Sequence, residues 1–294
     1  MWFLFSFKIF AFELTEIDEG VYVHFGKQEN SNKLNKGDIA NLGLIIGSHS
    51  AMVIDTGGTP KIGNAFKHEI AKITSLPISH IIITHGHPDH FFGTEEFEEF
   101  KPEIVGHEKL DRSLLNNFEF YKNLQFSITN DDSMQNVKLV MTTQSIKTEE
   151  SLIIDLGERL VEIKAWKSGH TDNDISIYDI KTKIFWSEMI FVERTPSIRA
   201  SIKGWKSNLK KINDMDINLI VPGHGPVKTK NEAIKPMMNY FDRLITQARE
   251  YHKMNKTLEE AQKNIGSENL ENWKLYEDYN VVNVTRTYTE LEWE

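Results

Sequence analysis

The sequence predicts a mixed α/β fold, and two observations support this class. Short apolar or alternating runs, bounded by glycine, serine or asparagine, recur along the first three quarters of the chain. In each half these runs are followed by longer segments with helical spacing of apolar residues. Layered folds around central sheets reach 294 residues as one unit. This pattern alone is compatible with several α/β arrangements.

In the first half, the pattern predicts a series of strands with two main helices. Strands are expected at residues 21–25, 42–46, 52–54, 78–84 and 104–106, and helices at 61–74 and 108–124. A short helix is expected after Phe91-Phe92-Gly93. Aromatic side chains of the second helix, Phe118, Phe120 and Tyr121, could cover a site at its end, although most such residues belong to a core.

The second half of the chain again shows predicted strands followed by a helix, and it ends in a helical region. Strands are expected at residues 151–155, 159–166, 174–179, 183–186 and 217–221, and a helix at 203–213. Residues 231–265 are expected to be helical, because their apolar residues recur with helical spacing. That stripe consists of Ile234, Met237, Met238, Phe241, Leu244 and Ile245, and it is expected to pack on the body of the protein.

A histidine-rich segment follows one of the predicted strands. Three imidazoles and one carboxylate lie within six residues in Thr84-His85-Gly86-His87-Pro88-Asp89-His90, directly after Ile81-Ile82-Ile83. Three imidazoles beside a carboxylate contribute little to packing, but they suit a divalent cation of borderline softness such as zinc. The segment therefore predicts a metal site, against the alternative of an ordinary polar loop.

Three further segments place polar residues among glycines after predicted strands. They contain Asp55 before Gly57-Gly58, His170 after Gly169, and His224 between Gly223 and Gly225. Glycine lets the backbone turn sharply and come close to an ion or substrate. Asp172 and Asn173, which follow His170, could support the site or only form a turn. Six other histidines lack such settings and are expected to be structural or solvated: His24, His49, His68, His80, His107 and His252.

Together these residues resemble the metallo-β-lactamase fold superfamily of metal-dependent hydrolases. The resemblance lies in their order along residues 20 to 230: Asp55, His85, His87, Asp89, His90, His170 and His224. It implies a four-layer αββα sandwich, here with a C-terminal helical extension. Smaller motifs are similar to those of the quinoprotein relay system zinc metallohydrolases: Asn41-Leu42-Gly43, Asp55-Thr56-Gly57-Gly58, His170-Thr171-Asp172-Asn173-Asp174, Lys203-Gly204-Trp205, Asn283-Val284-Thr285-Arg286 and Glu290-Leu291-Glu292-Trp293-Glu294.

The resemblance implies a ligand set for two cations. His85, His87 and His170 would bind one metal, and Asp89, His90 and His224 would bind a second. A bridging water or hydroxide would be the nucleophile, and Asp89 would also act in catalysis by orienting that water or protonating the leaving group. Asp55 and Thr84 are expected to hydrogen-bond the ligands. Zinc is the expected metal, at one or two ions per chain, and iron or manganese also suits such a site.

One residue departs from the family pattern. The family carries an aspartate that bridges the two metals, whereas this chain has Glu188 in Phe185-Trp186-Ser187-Glu188-Met189. The extra methylene moves the carboxylate by about 1.5 Å on an unchanged backbone, while metal distances tolerate only roughly 0.2 Å. We expect that Glu188 still coordinates and that the two metal sites differ in affinity.

Composition limits the partners and the chemistry. The formal net charge of −9 argues against a nucleic-acid surface, so a small-molecule substrate is expected. The chain has no cysteine, which excludes a thiolate ligand, a cysteine nucleophile and a disulfide framework. The apolar residues 1–12 are too short for an integral membrane span. Residues 1–16 are interpreted as a possible signal segment, 17–230 as the catalytic domain and 231–294 as a helical extension packed on it.

These observations lead to one main functional hypothesis and several alternatives. The main one is a zinc-dependent hydrolase of a small carbonyl or ester-type substrate, exported to the periplasm and linked to a quinoprotein pathway; a cytoplasmic location is the alternative. β-Lactam hydrolysis, thioester hydrolysis of the hydroxyacylglutathione type, and a non-catalytic metal-binding accessory role remain open. Arg194, Arg199 and Lys203 could meet an anionic substrate group, but each alone is more simply a solvated surface charge.

Overall fold

The computed structural model describes residues 12–266 and 273–294. Most of the predicted signal segment, residues 1–11, lies outside this part. Phe12, at its end, is buried, and its ring stacks on that of His24 with centroids 3.6 Å apart. The first strand begins at Thr15, so residues 12–16 belong to the folded body.

The first sheet has seven strands in sequential order. Neighbouring strands are antiparallel from β1 to β4 and parallel from β4 to β7. Its strands are β1 Thr15–Asp18, β2 Val21–His24, β3 Leu42–Ile46, β4 Ala51–Ile54, β5 Ile78–Ile82, β6 Glu103–His107 and β7 Gln144–Ile146. The carboxyl ends of the parallel strands β4 and β5 therefore lie at one edge, where both deliver polar loops.

The second sheet has six strands in the order β13-β12-β11-β10-β9-β8. Only the β11–β12 pair is parallel. Its strands are β8 Ser151–Asp155, β9 Leu160–Ala165, β10 Ile175–Asp179, β11 Ile184–Phe191, β12 Leu219–His224 and β13 Lys228–Thr229. The β11–β12 ladder is interrupted between Ser187 and Phe191, where β11 bulges.

Seven α-helices and two 3₁₀ helices complete the described residues. The α-helices are α1 Pro60–Ile73, α2 Pro88–Phe91, α3 Leu110–Thr129, α4 Ile202–Asn213, α5 Lys230–Lys253, α6 Leu258–Asn264 and α7 Tyr276–Leu291; the 3₁₀ helices are Thr94–Phe100 and Asp132–Gln135. Local sequence explains the starts of several helices. Thr59 caps α1 ahead of a proline, and Thr229 with Glu232 forms a capping box at α5.

Three hydrophobic clusters show that these elements form four layers. One cluster joins the inner faces of the two sheets, with Ile82 on one side and Trp186 on the other. A second joins the outer face of the first sheet to α1 and α3. The third joins the outer face of the second sheet to α4, α5 and α7. The predicted αββα sandwich is confirmed, and the C-terminal helices belong to its fourth layer.

Several elements differ from the sequence expectation. Strand β11 runs to Phe191, well beyond the predicted residue 186: polar Ser187 and Glu188 interrupt the apolar run, but all eight residues of the strand are buried. Strands β1, β7 and β13 are short, and the sequence did not reveal them. Within the described ranges, no helix has the length and apolarity needed to cross a membrane.

Candidate metal centre

The predicted metal-site residues lie on five segments that meet at one edge of the two sheets. Asp55 follows β4, residues 85–90 follow β5, and His170 lies between β9 and β10. Glu188 is in the bulged part of β11, and His224 ends β12. The edge therefore draws on both sheets, and residues far apart in the chain become neighbours.

The side chains form three groups, in each of which the potential ligand atoms lie within 4.8 Å of one another. The groups are His85, His87 and His170; His85, His90 and Glu188; and Asp89, His90 and His224. His85 and His90 each belong to two groups. Glu188 thus lies between the two triads that the sequence assigned to separate metals. The six other histidines belong to none of these groups.

The first triad is compact and electrically neutral. Nδ1 of His87 lies 2.8 Å from Nε2 of His85 and 3.1 Å from Nε2 of His170. Burial lowers the pKa of His87 to about 4, and it lowers the pKa values of His85 and His170 well below the usual value. Neutral imidazoles offer a lone pair, so the three nitrogens can act together as ligands.

The second triad contains one carboxylate, and two more lie close to its central histidine. Oδ2 of Asp89 lies 3.2 Å from Nε2 of His90 and 3.4 Å from Nε2 of His224. Burial opposes the charge on His90, but the carboxylates of Asp89, Glu188 and Asp55 outweigh it and raise the pKa of His90 well above its usual value. The pocket around His90 therefore favours positive charge.

Unpaired atoms between the triads fit a bound cation. Both carboxylate oxygens of Glu188 and Nε2 of His90 are buried without a hydrogen-bond partner in the described residues. Oε2 of Glu188 lies 3.5 Å from Nε2 of His90. Burial raises the pKa of Glu188 to about 8. Buried polar atoms without partners are costly, and a divalent cation would satisfy these three at once.

Asp55 orients two of the grouped histidines. Its carboxylate accepts hydrogen bonds from Nδ1 of His90 at 2.9 Å and from the hydroxyl of Thr84 at 2.7 Å. Thr84 is then free to accept from Nδ1 of His85, 3.2 Å away. Asp55 is fully buried and holds φ at 54°, a left-handed conformation that is uncommon outside glycine. The strained backbone conformation of Asp55 thus coincides with the position from which its carboxylate binds His90 and Thr84.

Backbone carbonyls fix the orientation of two further histidines. Nδ1 of His170 donates to the carbonyl oxygen of Ser197 at 2.8 Å, and Nδ1 of His224 donates to that of Ile39 at 2.7 Å. Because a carbonyl only accepts, each ring carries its proton on Nδ1 and presents an unprotonated Nε2 to the centre.

Two asparagines support the centre; the sequence suggested a possible supporting role for Asn173 but none for Asn41. The amide of Asn41 donates to the carbonyls of Pro222 and Gly225, both at 2.8 Å, and so holds the loop that carries His224. The side-chain oxygen of Asn173 accepts from the amide of Gly86 at 2.9 Å, between two histidines. The supporting role considered for Asn173 therefore has a structural basis, whereas Asp172 pairs with exposed Arg112.

We expect Asn41→Ala to destabilise the protein by about 2–4 kcal/mol, because two buried carbonyls lose their donor. Denaturant unfolding of the purified variant measures this change. Asn218→Ala is the matched control, since its amide donates to only one carbonyl, that of Thr182, away from the centre. An equal loss of stability in both variants would contradict a special role for Asn41.

Gly223 makes room for the longer acidic side chain. A Cβ atom at Gly223 would lie 1.6 Å from Oε2 and 2.4 Å from Cδ of Glu188. No side chain fits there while the carboxylate keeps its position. The bulge of β11 and the glycine of β12 thus together accommodate the methylene that distinguishes glutamate from aspartate.

Both triads adjoin a cavity of about 560 Å³, which His87 and His170 of the first triad and Asp89 and His224 of the second line. Phe120 and Tyr121 of α3 line its wall as the sequence suggested, whereas Phe118 belongs to the core. Arg194 and Arg199 also line the cavity. The lining further includes Tyr279 and Arg286 of α7, whose participation no sequence pattern indicated.

Of the charged residues interpreted as surface charges, Arg194 differs from that expectation, whereas Lys203 is exposed and agrees with it. Arg194 is only 3% exposed, so its interpretation as a solvated surface charge is wrong; it is buried because strand β11 and the start of α7 enclose its segment. Lys203 pairs with Glu294 at 3.0 Å and does not line the cavity.

Comparison with known proteins identifies the family. The model of the metallo-β-lactamase superfamily matches residues 35–224. A metallo-β-lactamase from Pontibacter korlensis has a similar structure, with TM-score 0.63, 16% identity, and 79% of this chain and 99% of that chain covered. The DIM-1 metallo-β-lactamase gives TM-score 0.62 and 16% identity, with 79% and 96% covered.

The alignment with a third similar structure extends beyond residues 35–224, which match the superfamily model. The inverting sec-alkylsulfatase Pisa1 from Pseudomonas sp. gives TM-score 0.72 at 16% identity and covers 96% of this chain, which spans 51% of that enzyme. No curated protein sequence matches at a significant level. The superfamily match spans well over half of the sequence, and the four layers and the grouped histidines accord with it, so the chain belongs to the metallo-β-lactamase superfamily.

Proposed function

We propose that the protein is a metal-dependent hydrolase that acts on a small carbonyl or ester-type substrate. One observation carries this proposal: two triads of ligand atoms, with the unpaired carboxylate of Glu188 between them, adjoin a cavity of about 560 Å³ that four of their six residues line. Such a donor set of imidazoles and carboxylates suits zinc, and also iron or manganese. A bound divalent cation activates water and polarises a substrate oxygen.

The proposal assigns the residues of the centre to metal binding and to the orientation of the ligands. His85, His87 and His170 would hold one cation, Asp89, His90 and His224 the other, and Glu188 would contact both. Asp55 and Thr84 hold two of these imidazoles in place. No serine or cysteine nucleophile is required, which agrees with the absence of cysteine.

Asp89 is the acid–base residue of the proposal. Its carboxylate lines the cavity and is 9% exposed, so it can reach a substrate while facing His90 and His224. Burial alone would raise the pKa of Asp89, but the surrounding histidines, His90 above all, hold it well below the usual range. Asp89 is therefore ionised: it can orient water by accepting a hydrogen bond from it, take up the proton that this water loses, and pass the same proton to the leaving group.

The first experiment is elemental mass spectrometry of protein stripped with a chelator and reloaded with zinc. We expect two zinc ions per chain, released at different chelator concentrations because Glu188 alters the family geometry. One ion would indicate mononuclear chemistry. The absence of bound metal would contradict the metal-dependent hydrolase. Equal affinities at two sites would contradict the expected asymmetry.

The proposed setting is export to the periplasm in association with a quinoprotein pathway, with a cytoplasmic location as the alternative. Support comes from the apolar start of the sequence and from the motifs that resemble the relay branch. Fractionation of cells that produce the full chain tests the location. Recovery of the protein with cytoplasmic markers would contradict export to the periplasm.

Hydrolysis of a sulfate ester is a second candidate. The similarity to the alkylsulfatase includes nearly the whole of this chain, and three arginines line the cavity. Guanidinium groups suit a sulfate group through paired hydrogen bonds. Assays of the zinc-loaded protein with a carboxylate ester, an alkyl sulfate, a β-lactam and a hydroxyacyl thioester separate these activities. The substrate with the highest kcat/KM identifies the reaction class.

A further inference from the structure

The cavity contains a buried guanidinium group without a counter-ion. Arg194 is 3% exposed, and no carboxylate of the described residues forms an ion pair with it. Its Nε is buried without a hydrogen-bond partner. A buried cation normally has an anionic partner, because removing the charge from water is costly.

The apparent neighbour of Arg194 does not supply that partner. Nη1 of Arg194 lies 2.8 Å from Nδ1 of His224. If Nε2 of His224 binds a metal, Nδ1 carries the proton and donates to Ile39. It then cannot accept from Arg194. Thr195, the next residue, also has a buried hydroxyl without a partner, and both residues line the cavity.

The wall around Arg194 is cationic. Arg199 and Arg286 line the same cavity, and among the described residues Asp89 is the only acidic one in the lining. The charge of this part of the lining is therefore positive, whereas the formal net charge of the whole chain is −9. A cleft lined by one sign of charge attracts ligands of the other sign. The cationic wall therefore fits an anionic group.

Part of the cavity lining is apolar. Phe120, Leu124 and Ile128 lie on the cavity face of α3, and Phe120 is 64% exposed while Leu124 is 37% exposed. Contact between apolar side chains and an apolar ligand surface removes both from water, which favours binding. A ligand that contacts both the cationic wall and this apolar part needs an anionic end and an apolar body.

The C-terminal helix α7 completes the cationic wall. It supplies Arg286, and the ring of its Tyr279 lies 6.0 Å from the guanidinium of Arg194. The amide of Thr195 donates to the carbonyl of Lys274 at 3.0 Å, just before this helix. The position of Arg194 is thus tied to a segment beyond the residues that match the superfamily, 35–224.

We propose that this cavity selects amphiphilic anions, with Arg194 and Thr195 binding an oxyanion of the substrate, Arg199 and Arg286 flanking it, and α3 covering its apolar body. The inference rests on the proposed hydrolase function and specifies its substrate class. Carboxylate, sulfate and phosphate share the chemistry that guanidinium groups recognise. The oxyanion is either the reacting group, as in a sulfate ester, or a separate group beside it.

Paired substrates test the selection by charge. The zinc-loaded protein is assayed with para-nitrophenyl butyrate, which is neutral, with mono-para-nitrophenyl glutarate, which carries a free carboxylate, and with para-nitrophenyl sulfate. We expect Arg194→Lys, Arg199→Gln and Arg286→Gln each to lower the ratio of kcat/KM for the glutarate to that for the butyrate by about tenfold, mainly through KM. If sulfate is the preferred group, its kcat/KM falls in the same variants.

The matched control is Arg249→Gln, because Arg249 is exposed on α5, pairs with Glu294 and does not line the cavity. Zinc content is measured for every variant, so that loss of metal is separated from loss of anion binding. Unchanged ratios in all three cavity variants, with zinc retained, would overturn the inference.

Direct binding separates this inference from the hydrolase proposal. Calorimetry of the zinc-loaded protein compares hexanoate with hexanol, which share an apolar body. We expect hexanoate to bind at least about tenfold more tightly, and this preference to fall in Arg286→Gln and Arg194→Lys. Such binding without turnover of any ester would reject the hydrolase and keep the anion site. Turnover of esters without any arginine-dependent preference would keep the hydrolase and reject the anion site.

Discussion

Gly223→Ala is expected to weaken the binding of one zinc ion by about 100-fold or more. The added Cβ would lie 1.6 Å from Oε2 of Glu188, so the carboxylate must leave its position. Metal–ligand distances tolerate only about 0.2 Å, so a displaced carboxylate no longer binds as before. The effect is steric, because the backbone of Gly223 is not in the left-handed region that only glycine adopts readily. Titration with a zinc-competing chromophoric chelator measures the change.

Glu188→Asp in the Gly223→Ala background provides the decisive comparison. Shortening the side chain withdraws the carboxylate by about 1.5 Å and relieves most of the overlap. We expect the double variant to bind zinc at least about tenfold more tightly than Gly223→Ala alone, a strongly non-additive result. Glu188→Asp alone serves as the control. Additive losses would contradict the steric pairing of Glu188 with Gly223.

Asp55→Asn is expected to lower zinc affinity by about 10–100-fold, with a matching loss of activity. The neutral amide removes the negative charge that His90 faces and turns a donor toward a group that needs an acceptor. Asparagine tolerates the left-handed backbone at φ 54°, so the change tests the carboxylate rather than the conformation. Equilibrium zinc binding and kcat/KM of the reloaded protein are the measurements.

Asp179→Asn is the matched control for this prediction. Asp179 is also buried and accepts two hydrogen bonds from Arg159, but it lies at the far end of β10 from His170. We expect it to lower the free energy of unfolding by about 3–5 kcal/mol while zinc affinity is retained. If both variants lost zinc equally, the loss would reflect general destabilisation, and the orienting role of Asp55 would be rejected.

The sequence was most informative where chemistry is concentrated in short segments. The cluster from His85 to His90 needs no tertiary information, because imidazoles at that density indicate a ligand set. Strands β3 and β8 were predicted with their observed bounds, since their apolar runs end at glycine or at polar turns. The layering itself came from the resemblance, because similar strand patterns suit other α/β folds.

Features that depend on distant pairs could not be predicted. The need for glycine at residue 223 arises from Glu188 on a neighbouring strand. The burial of Arg194 depends on the segment around Lys274, and Arg286 reaches the cavity only because α7 packs across the second sheet. A single arginine in a sequence resembles a surface charge unless its surroundings are known.

The grouped donors come from loops of both sheets, and this arrangement has a consequence for folding and turnover in the cell. A cation held between His90 and His224 closes a loop of just under half of the chain, so it binds only after the two halves have assembled. Once bound, it resists their separation, because binding to the native state alone adds to stability. The supply of metal would then govern how long each molecule survives, as well as how fast it works.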